Sequence, residues 1–127
     1  MTEQIVDLRV VLNNKRVELV RSIRLQSVQL SVGEGEHELL DRIQGMSRRE
    51  EAVSFLDALN RALAAVDAAL QAVEEGVYGD CVECGDTISS RRLAAIRWAS
   101  RCIRCQQELD RRTERSASLQ RWYEAPA

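Results

Sequence analysis

Residues 2 to about 31 place Ile5, Leu8, Leu12, Leu19, Ile23 and Leu30 at 3-4-7 spacing along one broad face, which predicts a long helix. Val10, Val11, Val17 and Val20 widen the apolar stripe, and Lys15, Ser22 and Gln26 interrupt it. Thr2 suits the N-cap. Gly33 and Gly35 then break the periodicity. The segment 33–41 holds four acids and no Lys or Arg, and reads as a turn followed by a short helical piece.

Ser47-Arg48-Arg49-Glu50 has the S-x-x-E form of a capping box, so a second long helix is expected to begin there and run to about Glu75. Its apolar pattern is the cleanest in the chain. Ala52, Leu56, Leu59, Leu63, Val66, Leu70 and Val73 alternate at steps of four and three, the spacing of a coiled-coil seam. Gly76 and Gly79 end it. Two helices of near-equal length predict an antiparallel hairpin. At 1.5 Å per residue the rod is roughly 45 Å long. An acidic tip at about 32–46 then lies at the end remote from residues 77 onward.

Beyond the hairpin the pattern changes to chemistry. Cys81-Val82-Glu83-Cys84 and Cys102-Ile103-Arg104-Cys105 are two C-x-x-C pairs with 17 residues between them. That spacing fits one tetrahedral four-cysteine zinc site, each pair supplying two thiolates from one knuckle. Gly85 follows Cys84, where the knuckle turns tightly. Four thiolates close the shell and leave no position for substrate, so the metal, Cys81, Cys84, Cys102 and Cys105 around one Zn2+, reads as structural. The other reading of the cysteines is a pair of disulfides or a redox pair, and no βαβ pattern surrounds either C-x-x-C as a thioredoxin-like site requires. His37 lies in the acidic segment, remote from the cysteines, and is not expected to be a ligand.

Composition narrows the class. The chain has 127 residues, one Pro, six Gly and a net charge of −2. Ala, Leu, Arg and Glu dominate, a helical composition. A near-neutral charge and sparse aromatics argue against strong independent DNA binding. No apolar run reaches the length of a membrane span, and Met1-Thr2-Glu3-Gln4 is not a signal peptide, so a cytoplasmic protein is expected. There is no Gly-rich phosphate loop, no Ser/His/Asp arrangement and no open metal position, so an enzyme is not expected. The fold class is mainly α. A long antiparallel coiled-coil hairpin (1–76) is followed by a small four-cysteine zinc finger (77–107), then a C-terminal helix and tail (108–127).

The finger also carries a resemblance. Cys81, Cys84, Gly85, Ile88, Arg92, Leu93, Ala95, Cys102 and Cys105 match C-x-x-C-G-x-x-I-x-x-x-R-L-x-A, a spacer, and C-x-x-C. This resembles the DksA/TraR zinc-finger family, and Glu-Glu-Gly-Val-Tyr-Gly before it resembles the family's entry to the finger. The match covers roughly residues 70 to 106. The resemblance implies a transcription regulator that binds bacterial RNA polymerase and places acidic residues of its hairpin tip in the secondary channel. Carried over by spacing, Asp41 is the principal tip carboxylate and Glu38 the second acid, while Ile43 stands where the family has a small residue. Arg91, Arg92, Arg97 and Arg101 form a candidate docking patch beside the metal. The positions aligned with the family's ppGpp-binding basic residues are Ala65, Ile96 and Gln106. None is basic, so an alarmone site of the usual kind is not expected. Arg97 replaces a Pro common in the family's spacer. The competing classes are a zinc-ribbon nucleic-acid binder, which needs a basic groove or stacking aromatics, and a thiol redox sensor that loses zinc on oxidation.

Overall fold

The computed structural model describes residues 2–32 and 39–124, with side chains described over 4–31 and 43–117. Four helices follow one another: α1 (Thr2–Val32), α2 (Leu39–Glu75), α3 (Ser90–Ala95) and α4 (Ile103–Glu124). Among the described residues the only extended pairing is an isolated antiparallel bridge between Asp80 and Thr87.

Helices α1 and α2 form the antiparallel hairpin. Leu12 and Leu19 of α1 are buried against Val66, Ala69 and Val73 of α2, and Leu8, Leu59, Ala62, Leu63 and Leu70 pack around them. Two cross-helix ion pairs record the register, Arg9 to Glu74 at 3.0 Å and Arg16 to Asp67 at 2.8 Å. A step of seven forward on α1 is a step of seven back on α2. Each pair is largely exposed and contributes little stability by itself.

The seam differs from the sequence reading on both helices. On α2 the buried row runs through Ala69, and Ala62 lies half-buried one heptad before it. On α1, Lys15, Ser22 and Gln26 continue the heptad of Leu8, Leu12 and Leu19 and are half-buried. They occupy the seam itself. Val10, Val11 and Val17 do not widen it: Val10 is 52% and Val17 57% exposed, and Ile5 is also exposed. One partner helix covers only a narrow strip, so residues on the far side of α1 stay in solvent.

The expected start of α2 at Ser47 is corrected. The helix begins at Leu39 and passes through Gly45 and Ser47. Gly45 inside a helix costs about 1 kcal/mol relative to Ala. Interrupting the helix would expose unsatisfied backbone groups at two further ends, so continuity wins over the capping signal. Asp41 therefore lies in the first turn of α2. Glu38 and His37 lie outside the described residues.

The far end of α2 stops where glycine permits it. Gly76 has φ +74. The Gly76 amide donates to the Val73 carbonyl at 3.3 Å and the Val77 amide to the Ala72 carbonyl at 2.9 Å. These two bonds make a Schellman motif with Gly76 at C′. The chain reverses there and enters the finger at once.

Candidate metal centre

The first knuckle hangs on a short two-armed loop. The Cys81 amide donates to the Asp86 carbonyl at 2.8 Å and the Ile88 amide to the Gly79 carbonyl at 2.7 Å. The Gly85 amide closes the turn on the Cys81 carbonyl at 2.9 Å, and Gly85 adopts φ +78. Ile88, 1% exposed, and Cys81, 3% exposed, are the finger's own buried side chains among the described residues. That is too small a hydrophobic core to hold a module of this size without a cross-link or a metal.

The second knuckle is the start of α4. The Gln106 amide donates to the Cys102 carbonyl at 3.0 Å, so Cys105 sits in the first helical turn. Between the knuckles lies α3, capped by Ser89, whose hydroxyl accepts from the Arg92 amide at 3.2 Å. The Val82 amide donates to the Ser100 carbonyl at 2.9 Å and ties the two halves together.

This framework brings all four cysteines to one point. Their sulfurs lie within 4.8 Å of one another. Cys84 Sγ and Cys102 Sγ are 3.8 Å apart. A tetrahedral zinc with Zn–S bonds of about 2.3 Å requires sulfurs about 3.8 Å apart. All four cysteines are free, and they form a single cluster, not two separate pairs. The donor set and its geometry fit one structural zinc held by Cys81, Cys84, Cys102 and Cys105.

Backbone amides prepare the sulfurs for a cation. The Cys84 amide, followed by that of Cys102, draws the Cys81 thiol down to about 6. The Cys105 amide likewise lowers Cys102. The first cysteine of each pair is thus biased toward thiolate by the second. Cys105 is pushed up to about 12, chiefly by its hydrogen bond to the Cys102 sulfur. Four sulfurs this close cannot all carry charge without a cation between them, and zinc removes that conflict by displacing the protons.

The four candidate docking arginines separate into two kinds. Arg92 Nε donates to the Arg101 carbonyl at 3.0 Å, a partly buried bond that fixes the backbone immediately before Cys102. Arg101 donates to Glu83 through Nε at 3.3 Å and through a terminal nitrogen at 3.2 Å. Arg91 and Arg97 are exposed. Helix α2 carries Asp41 far from this patch, at the opposite end of its 37 residues.

The joint between finger and hairpin escaped the sequence reading. Tyr78 and Trp98 pack against the buried cluster of the hairpin. The Tyr78 hydroxyl donates to the Arg97 carbonyl at 2.7 Å, and burial raises its pKa. Lys15 Nζ stands 5.4 Å from the centroid of the Trp98 ring. A bulky aromatic in the spacer between two cysteine pairs, paired with a Lys in an apolar stripe, was the available signal.

Comparison with known proteins agrees with this geometry. Residues 76–111 match the family described as the prokaryotic dksA/traR C4-type zinc finger. An uncharacterized protein of Aquifex aeolicus is 35% identical over 103 residues, covering 79% of this chain and 71% of that protein. The RNA polymerase-binding transcription factor DksA of Caulobacter vibrioides is 32% identical over 79 residues, 62% of this chain and 56% of the relative. The structure of transcription factor DksA2 from Pseudomonas aeruginosa superposes with a TM-score of 0.72 at 27% identity, covering 88% of this chain and 87% of that one. Motif, relatives and architecture agree: the chain belongs to the DksA/TraR zinc-finger family.

Proposed function

We propose that this protein binds bacterial RNA polymerase and modulates initiation by placing its hairpin tip in the secondary channel. The observation that carries the reading is the family's four-cysteine finger together with an overall fold that follows DksA2 over 88% of the chain. The hairpin is a rod. From Asp41 to Glu75, α2 spans about 50 Å at 1.5 Å per residue, so a tip can reach a buried centre while the finger stays outside. Asp41 and Glu38 are the residues proposed to act there. A carboxylate suits a centre that holds magnesium and basic side chains, since it can contact either. Of the docking arginines, Arg91 and Arg97 are the ones proposed to meet an acidic surface. Arg92 and Arg101 are committed to the finger's own backbone and to Glu83. The mode of action is binding, not catalysis.

The test is competition on core RNA polymerase between this protein and a Gre-type secondary-channel factor, followed by the Asp41→Asn variant in a transcription assay. Mutual exclusion is expected, with the variant binding normally but losing most of the effect on initiation. Simultaneous binding of both proteins, or an unchanged effect in the variant, would overturn the channel reading.

A further inference from the structure

We infer that Trp98 is a positioning residue that couples metal occupancy of the finger to the stability and orientation of the hairpin. The segment from Ile96 to Arg101 is the only stretch of the spacer that touches both bodies among the described contacts. On the finger side its carbonyls are held one by one: Arg97 by the Tyr78 hydroxyl at 2.7 Å, Ser100 by the Val82 amide at 2.9 Å, and Arg101 by Arg92 Nε at 3.0 Å. The Ala99 amide folds back on the Ile96 carbonyl at 3.1 Å. The next residue is Cys102, a zinc ligand. The backbone of this segment is therefore fixed by the same loop that the metal closes.

On the hairpin side the segment offers one large side chain. Trp98 packs on the cluster built around Leu12, Leu19 and Val66. Lys15 stands over its ring, and the Lys15 side chain is 30% exposed. Lys15 also pairs with Glu18 at 3.2 Å, which holds its stem along α1. A cation over an indole face is attractive and directional. This contact explains why a lysine is kept in the helix–helix seam between Leu12 and Leu19, where an apolar residue would pack better against α2. When zinc leaves, the carbonyl anchors lose the loop that presents them, and Trp98 loses its fixed place on α1. Metal binding then contributes to hairpin stability through Trp98, beside the Tyr78 ring that packs on the same cluster, and the coupling is reciprocal.

The experiment is a comparison of zinc-dependent stabilisation. Far-UV circular dichroism follows thermal unfolding of the full chain, with and without one equivalent of zinc, for the parent protein and for Trp98→Ala and Lys15→Gln. Zinc is expected to raise the helical melting temperature of the parent. Most of that increment is expected to disappear in both variants while each still binds one zinc per chain. Lys15→Gln does not alter the finger, so it keeps the test decisive if Trp98→Ala fails to fold. In a Trp122→Phe background, chelation should also shift Trp98 emission toward that of a solvated indole, and zinc should reverse it. A zinc increment equal in parent and Lys15→Gln, or Trp98 emission unmoved by complete zinc removal, would overturn the coupling.

Discussion

At the scale of single residues, the finger shows how similar side chains in one motif take different tasks. Arg91 and Arg92 are neighbours at the start of α3, yet only Arg92 turns inward to the Arg101 carbonyl. Removing a charged donor to a partly buried carbonyl costs about 1.5–3 kcal/mol. An exposed arginine removed from a helix surface costs within about 0.5 kcal/mol. Arg92→Ala is therefore expected to lower resistance to chelation by roughly 10-fold or more, since about 1.4 kcal/mol is a factor of ten. Arg91→Ala should leave it unchanged. Zinc release measured with a colorimetric chelator checks both, and equal effects of the two substitutions would refute the assignment.

At the scale of elements, the hairpin is not uniformly held. Among the described residues, every buried side chain of the rod lies toward the finger: Leu12, Leu19, Val66, Ala69 and Val73. Farther out on α1 the seam carries Ser22 and Gln26, and on α2 all residues from 43 to 50 are exposed. Leu12→Ala is expected to cost about 2–5 kcal/mol, as for other fully buried leucines. Leu30→Ala, at a half-buried position, should cost about 1 kcal/mol, close to the average substitution. Urea denaturation followed by circular dichroism separates the two. Amide exchange is expected to proceed from the outer half inward, because opening free energy follows local burial.

Much of this was legible beforehand because periodicity reports burial directly. The two helices, their antiparallel pairing and the α2 seam through Val66 and Val73 follow from spacing alone. The four ligands followed from the cysteine pairs. What spacing missed has physical causes. The capping signal at Ser47 is local, whereas helix continuity depends on the hydrogen-bond ladder of the whole segment. Lys15 looks like an interruption until Trp98, distant in sequence, is placed over it. Phe55 is 53% exposed although it stands one heptad before Ala62, because a seam that includes Ser22 and Gln26 does not enclose an aromatic there.

At the scale of the molecule, two bodies of different physical origin are joined at their base. The hairpin is held by apolar packing along a seam, and the finger by its metal. The finger buries little beyond Ile88 and Cys81, so zinc binding, worth about 10–16 kcal/mol in such modules, is essentially its folding free energy. The hairpin's buried cluster contains no ligand and needs none. Complete chelation, or Cys84→Ser, is therefore expected to melt α3, the knuckles and the first turn of α4 while most of the far-UV helical signal persists. Loss of the coupling through Trp98 lowers the hairpin's melting temperature without abolishing its transition. Circular dichroism at 222 nm alongside limited proteolysis gives the answer. New cleavage confined to about residues 77–107, with α1 and α2 protected, supports this division. Collapse of the whole helical signal on zinc loss would show that the metal holds the entire chain. An uncut finger after complete zinc loss would show that packing alone sustains it.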